Sequence, residues 1–125
     1  MKGFSTPYEI TLNPDNGLLY VSNYGQLNTT GSVSVVNGTT NAIVANIPVG
    51  KTPQANVYDP ANGLVYTANT LSNTLSIINS TSNSLVGSII VGASPGKNPL
   101  GITVNPINTQ STLQTMGNRA ELKCC

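Results

Sequence analysis

Histidine and tryptophan are both absent from this 125-residue chain, and charged residues make up only 7% of it. Without histidine the sequence lacks the commonest metal ligand and the commonest general base together. Its carboxylates are few: Glu9, Asp15, Asp59 and Glu121. No metal, no cofactor and no enzymatic activity are therefore expected. The net charge is +1, with no cluster of Lys or Arg. Phosphate backbones and anionic lipids need such clusters, so nucleic acid is excluded as a partner. No run approaches the roughly 18 apolar residues of a membrane span. The start, Met1-Lys2-Gly3-Phe4-Ser5, shows no apolar core of a signal peptide. A mature exported chain, a missing start and cytosolic retention all stay open. The only cysteines are adjacent, Cys124 and Cys125. Neighbouring cysteines bridge each other poorly, which leaves a bare tail or an intermolecular disulfide.

What the chain does have is a repeat. Pro7, Asn13-Pro14, Asn16-Gly17-Leu18, Tyr20 and Asn23 return 46 residues later as Pro53, Asp59-Pro60, Asn62-Gly63-Leu64, Tyr66 and Asn69. Pro99 and Asn105-Pro106 open a third copy. A fixed period of this size marks stacked units, each with an apolar face that only a neighbour can bury.

Within each copy the apolar residues alternate in short runs, such as Tyr8, Ile10, Leu12 and Val33, Val35. Period two with β-branched and aromatic residues predicts strands. Four fall in each copy: 7–12, 17–23, 32–37 and 42–49, then 54–58, 63–69, 74–79 and 85–91. Asn13-Pro14-Asp15-Asn16-Gly17 and Asp59-Pro60-Ala61-Asn62-Gly63 supply turn chemistry between the first two strands. The first copy carries four extra residues in its Asn23–Asn37 segment, and the second regains them around 93–98, so length varies in loops while strands keep their spacing. Residues 107–125 lose the pattern. They are expected to form a helical or irregular tail, an assembly segment, a disordered end, or the product of a truncated reading frame.

The order of these elements resembles the YVTN family of β-propeller repeats. Tyr20-Val21-Ser22-Asn23 and Tyr66-Thr67-Ala68-Asn69 carry the family's second-strand motif. They precede Val33-Ser34-Val35-Val36-Asn37 and Leu75-Ser76-Ile77-Ile78-Asn79, and then strands ending Val49-Gly50 and Val91-Gly92. The resemblance spans residues 6–106. It implies an all-β chain of four-stranded antiparallel propeller-type blades, and a setting like that of surface-layer-like extracellular proteins. The expected division is blade one over 1–51, blade two over 52–98, the first strand of a third over 99–106, and a divergent tail over 107–125. Propellers close with four to eight blades, so this is an incomplete propeller unless other chains complete it.

From this follow the expected partners: other copies of the chain, in a homo-oligomer or polymer, with cell-surface proteins or glycans as further candidates. Blade faces typified by Ile10, Leu19, Val35, Ile47, Val57, Val65, Ile77 and Ile89 are expected to meet between protomers. Asn28, Asn37 and Asn79 match the N-glycosylation acceptor pattern. Asp59 stands where copies one and three have asparagine, so a turn role is expected for it. Glu9 is expected on a solvated strand face, and Lys51 and Lys97, again 46 residues apart, in solvated loops. The alternative to self-assembly is a piece of a larger propeller that binds a ligand or protein through the 23–30 and 69–74 loops.

Overall fold

The computed structural model describes residues 6–26, 29–91, 99–105, 110–115 and 118–123, the last three stretches as strands and their pairing. Eleven strands appear among them, with one 3₁₀ turn at Thr70–Ser72. The first sheet has the order β1-β2-β3-β4, formed by Pro7–Asn13, Leu18–Asn23, Thr30–Asn37 and Ala42–Lys51. The second repeats it as β5-β6-β7-β8, formed by Pro53–Asp59, Leu64–Asn69, Thr74–Asn79 and Ser84–Ile90. All pairings are antiparallel. These are two complete four-stranded blades.

The tail differs from expectation. Gln110–Thr115 (β10) and Asn118–Lys123 (β11) are strands, and with Pro99–Asn105 (β9) they make a third sheet in the order β11-β10-β9. β10 pairs with β9 on one side and β11 on the other; its Gln- and Thr-rich sequence carries no apolar alternation, and that of Ala120 and Leu122 in β11 is short.

Local chemistry sets the turns. Asn13 Oδ1 accepts the Asp15 N–H at 2.9 Å, and Gly17, at φ 72°, donates its N–H to Asn13 O. Asp59 does the same: its Oδ1 accepts the Ala61 N–H at 2.9 Å, and Gly63, at φ 71°, donates to Asp59 O. The asparagine-to-aspartate exchange therefore preserves the turn, since the turn itself uses only the Oδ1 acceptor. Between blades the chain turns on a single residue. Thr52 sits at φ 56°, as Thr6 does at φ 52°, and each carbonyl accepts an N–H from just past the second strand, Thr70 and Tyr24 respectively.

The first strands of successive sheets, β1, β5 and β9, lie beside one another. The sheets stack in one direction. Tyr20, Val33, Val35, Ile47 and Val49 of the first sheet form one buried cluster with Val65 and Ile78 of the second. The opposite face of the second sheet carries its own cluster, Ala55, Tyr66, Ala68 and Leu75, on the side of β9. Both faces of the second blade are thus apolar, as a layer buried on each side requires. A bulge at Val35/Val36, repeated at Ile77/Ile78, shifts the alternation by one residue near the outer strand.

Candidate functional site

Polar side chains lock the two complete blades together around their apolar contact. Asn56 Nδ2 donates to the carbonyls of Tyr20 at 3.0 Å and Glu9 at 3.3 Å, while its Oδ1 accepts from Thr67. Tyr58 donates its hydroxyl to Asp15 Oδ2 at 2.9 Å. Asn13 Nδ2 reaches Ser80 Oγ at 3.2 Å, and the Tyr20 hydroxyl donates to Asn83 Oδ1 at 2.8 Å. Burial raises the Tyr20 pKa, with Asn16 and Ser80 pulling it partly back. Tyr58 is also raised, first by burial and then by the Asp15 carboxylate it bonds.

The first sheet has a second face, and there the lock residues are missing. Ile10 pairs with Val21 and Leu12 with Leu19, so these four share one face, opposite Tyr20. Ile10 is 60% exposed and Leu12 52%. One repeat later the same positions are Asn56 and Tyr58, which are engaged on the first sheet.

The apolar residues expected between protomers therefore divide. Ile10 and the half-buried Leu19 lie on this face. Val35, Ile47 and Val65 do not: they are buried between the two blades of this same chain. Val57, Ile77 and Ile89 pack around the second cluster, on the side of β9. The correction has a simple cause, because alternation identifies a sheet's two faces without saying which has a neighbour in the chain.

Asn37 and Asn79 end the third strands at equivalent positions, each with Oδ1 accepting the N–H two residues on, at 2.9 and 2.8 Å. Asn28, Lys97, Cys124 and Cys125 lie outside the described residues. Glu9 is exposed, and Lys51 is half-buried at the end of β4, its N–H donating to Ser72 Oγ.

An open cavity of about 590 Å³ adjoins the first loop, lined by Asn23, Gly31, Ser32, Asn46 and Pro48 among others. Asn23 donates to Ser32 and Ser34, as Asn69 donates to Thr74 and Ser76 one repeat later. The Oδ1 of both asparagines is buried and accepts no hydrogen bond from the described residues. Sequence reading located the two loops but not this motif asparagine's role as a pin between the second and third strands.

No protein-family model matches the chain. No curated protein matches it either. Solved structures do. Hydrazine synthase of Kuenenia stuttgartiensis aligns over 90% of this chain and 30% of its own, with TM-score 0.75 and 24% identity. The WD40 β-propeller domain of Doa1 aligns over 92% and 36%, with TM-score 0.72 and 14% identity. The Swd1 β-propeller domain of Myceliophteria thermophila aligns over 97% and 36%, with TM-score 0.74 and 8% identity. The chain thus spans about a third of the length of the propellers it matches, and its fold is that of part of a β-propeller.

Proposed function

We propose that this chain is a noncatalytic structural and interaction module of YVTN-like blades, acting at the cell surface or outside the cell, which self-assembles into a layer or filament by continuing its stack. One observation carries the reading. The Ile10 and Leu12 face is exposed, although the same face of the second blade packs on its neighbour through Val65, Ile78, Asn56 and the partly buried Tyr58. Exposed apolar positions on a sheet face mark a contact surface when they form a patch. The β-propeller likeness gives the fold and no activity, and the noncatalytic reading is supported instead by a sequence without histidine and with only four carboxylates.

The test is native mass. Light scattering of the purified chain is expected to give particles larger than the 12.9 kDa monomer, and Ile10→Lys is expected to return them to monomer. A monomer at all concentrations, with Ile10 and Leu12 protected from solvent exchange, overturns the proposal. Export implies glycans on Asn37 and Asn79, which stand at one rim, and on Asn28. Mass spectrometry of native material showing all three bare counts against that part.

A second reading is favoured by the coverage of about a third of each matched propeller. In it the chain is a portion of a larger propeller that binds a ligand or protein through the loops beside the Asn23 cavity and after Asn69. Blade-coding sequence on either side of this segment would decide for it.

A further inference from the structure

The second blade closes with its own chain a place that the first blade leaves open. At Asn69 the end of β4 covers the side chain: Gly50 packs against its amide, and the Lys51 N–H donates to Ser72 Oγ at 2.6 Å in the turn after β6. Beside it, Thr70 donates its hydroxyl to Gln54 Oε1 at 2.9 Å. One repeat earlier the loop after β2 is four residues longer, and the cavity of about 590 Å³ lies against Asn23. Thr29 donates both its N–H and its hydroxyl to Gln26 O, at 3.1 and 2.7 Å, which closes that loop on itself. In place of the Gln54–Thr70 bond stand two rings, Tyr8 and Tyr24, stacked with centroids 6.1 Å apart and planes 28° apart. Tyr8 is 60% exposed. Asn23 pairs with Pro7 on one side and Ser32 on the other, so the strand that carries Tyr8 and the strand that lines the cavity flank it.

We propose that this place binds a neutral oligosaccharide, with sugar hydroxyls bonded in the cavity and a pyranose face laid on Tyr8. The proposal rests on the second reading above and names its ligand class. No charged side chain lines the cavity, so neither an anion nor a cation would find the counter-charge that leaving water requires. The lining is of amides and hydroxyls, Asn23, Gln26, Thr29, Ser32 and Asn46 among them. An apolar ligand would leave these groups unpaired, whereas a sugar hydroxyl both donates and accepts. Asn23 is 2% exposed, its Nδ2 is committed to Ser32 and Ser34, and its Oδ1 accepts nothing from the described residues. That oxygen calls for a donor. The Asn69 Oδ1 is equally without one, but there Gly50 packs on the amide. Asn46 Oδ1 already accepts from Ser34 Oγ, which leaves the Asn46 N–H groups to donate. The exposed ring decides between a sugar and a peptide backbone: a tyrosine offers an apolar face with a polar tip, the complement of a pyranose with C–H groups on its face and hydroxyls at its edge.

The experiment is titration of the full chain with chitotriose, cellotriose and mannotriose, followed by the side-chain amide signals of Asn23, Gln26 and Asn46 in NMR. At least one trisaccharide is expected to shift these signals saturably at about 10 mM or below, and its monosaccharide to bind about tenfold more weakly, since it cannot reach both the cavity and the ring. Tyr8→Ala and Gln26→Ala, both at exposed positions, are each expected to weaken binding about fivefold, the scale of one stacking or hydrogen-bonding contact. Tyr8→Phe keeps the ring and is expected to bind within about twofold of the starting chain, and circular dichroism confirms that each variant folds. Failure of all three sugars to shift the signals, or unweakened binding by Tyr8→Ala, overturns the proposal. So does a neutral decapeptide of glycine and serine that shifts the same signals when the sugars do not, although that result leaves the second reading standing. The second reading falls separately, if no blade-coding sequence flanks this segment.

Discussion

Gly50 lies against Asn69 so closely that a methyl group on its Cα would come within 2.8 Å of the Asn69 Cβ and Cγ. Asn69 cannot retreat, because its Nδ2 holds Thr74 and Ser76. Gly50→Ala is therefore expected to destabilise the chain by about 1–3 kcal/mol, as overpacking does. Gly87 has nothing within 4 Å of such a methyl, so Gly87→Ala serves as the control and should leave the thermal midpoint nearly unmoved. Equal effects at the two glycines would contradict the close approach.

The junction between blades is also expected to respond to core truncation more than the exposed face does. Ile78 is fully buried in the interblade cluster, and Ile78→Ala should cost about 2–5 kcal/mol in denaturant unfolding. Ile10→Ala, at an exposed position, should change unfolding of the dilute chain by less than about 0.5 kcal/mol. A large loss at Ile10 under dilute conditions would mean that its face is covered within the chain.

Two tyrosine hydroxyls cross the junction in different surroundings. Tyr20 is buried and donates to Asn83, whereas the Tyr58 bond to Asp15 is exposed. Tyr20→Phe should lower stability by about 1 kcal/mol, the net value of a buried hydrogen bond. Tyr58→Phe should stay within about 0.5 kcal/mol, since an exposed bond is readily replaced by water. The reverse order in thermal unfolding would place the junction's polar lock at the wrong tyrosine.

Alkaline pH should weaken the fold through Tyr20. Burial raises its pKa above the ordinary 10.0, so the folded chain keeps the phenol proton more tightly than the unfolded chain does. Stability from this source is fully present below about pH 10 and falls as pH rises toward the folded value. The thermal midpoint followed through that range should drop less steeply in Tyr20→Phe than in the starting chain. An unchanged slope would assign the loss to other groups.

Much of this architecture could be read before any coordinates. The recurring Pro7/Pro53, Gly17/Gly63 and Tyr20/Tyr66 placed the turns and second strands to within a residue, because turn chemistry and period-two alternation are local. The third strand begins at Thr30 rather than Ser32, a small error at an element end where no apolar residue marks the boundary. The two strands of the third sheet, β10 and β11, escaped notice for a different reason. The Gln- and Thr-rich β10 has no apolar alternation and is placed by its pairing between β9 and β11, while the alternation of Ala120 and Leu122 with charged residues is too short to mark β11 by itself. The glycine at position 50 could be seen, but the need for it arises only across the junction, from Asn69.

Sequence alone determined the repeat, the strand count of the two complete blades, the turn role of Asp59, and the poverty of charge that shapes the surface. Those are properties of residues and their near neighbours. Only the tertiary structure decided which apolar residues are spent inside the chain, such as Val35, Ile47 and Val65, and which remain outward, such as Ile10 and Leu12. In a stack the two faces of a sheet are both apolar, so nothing in the alternation distinguishes a face that has a neighbour from one that lacks it.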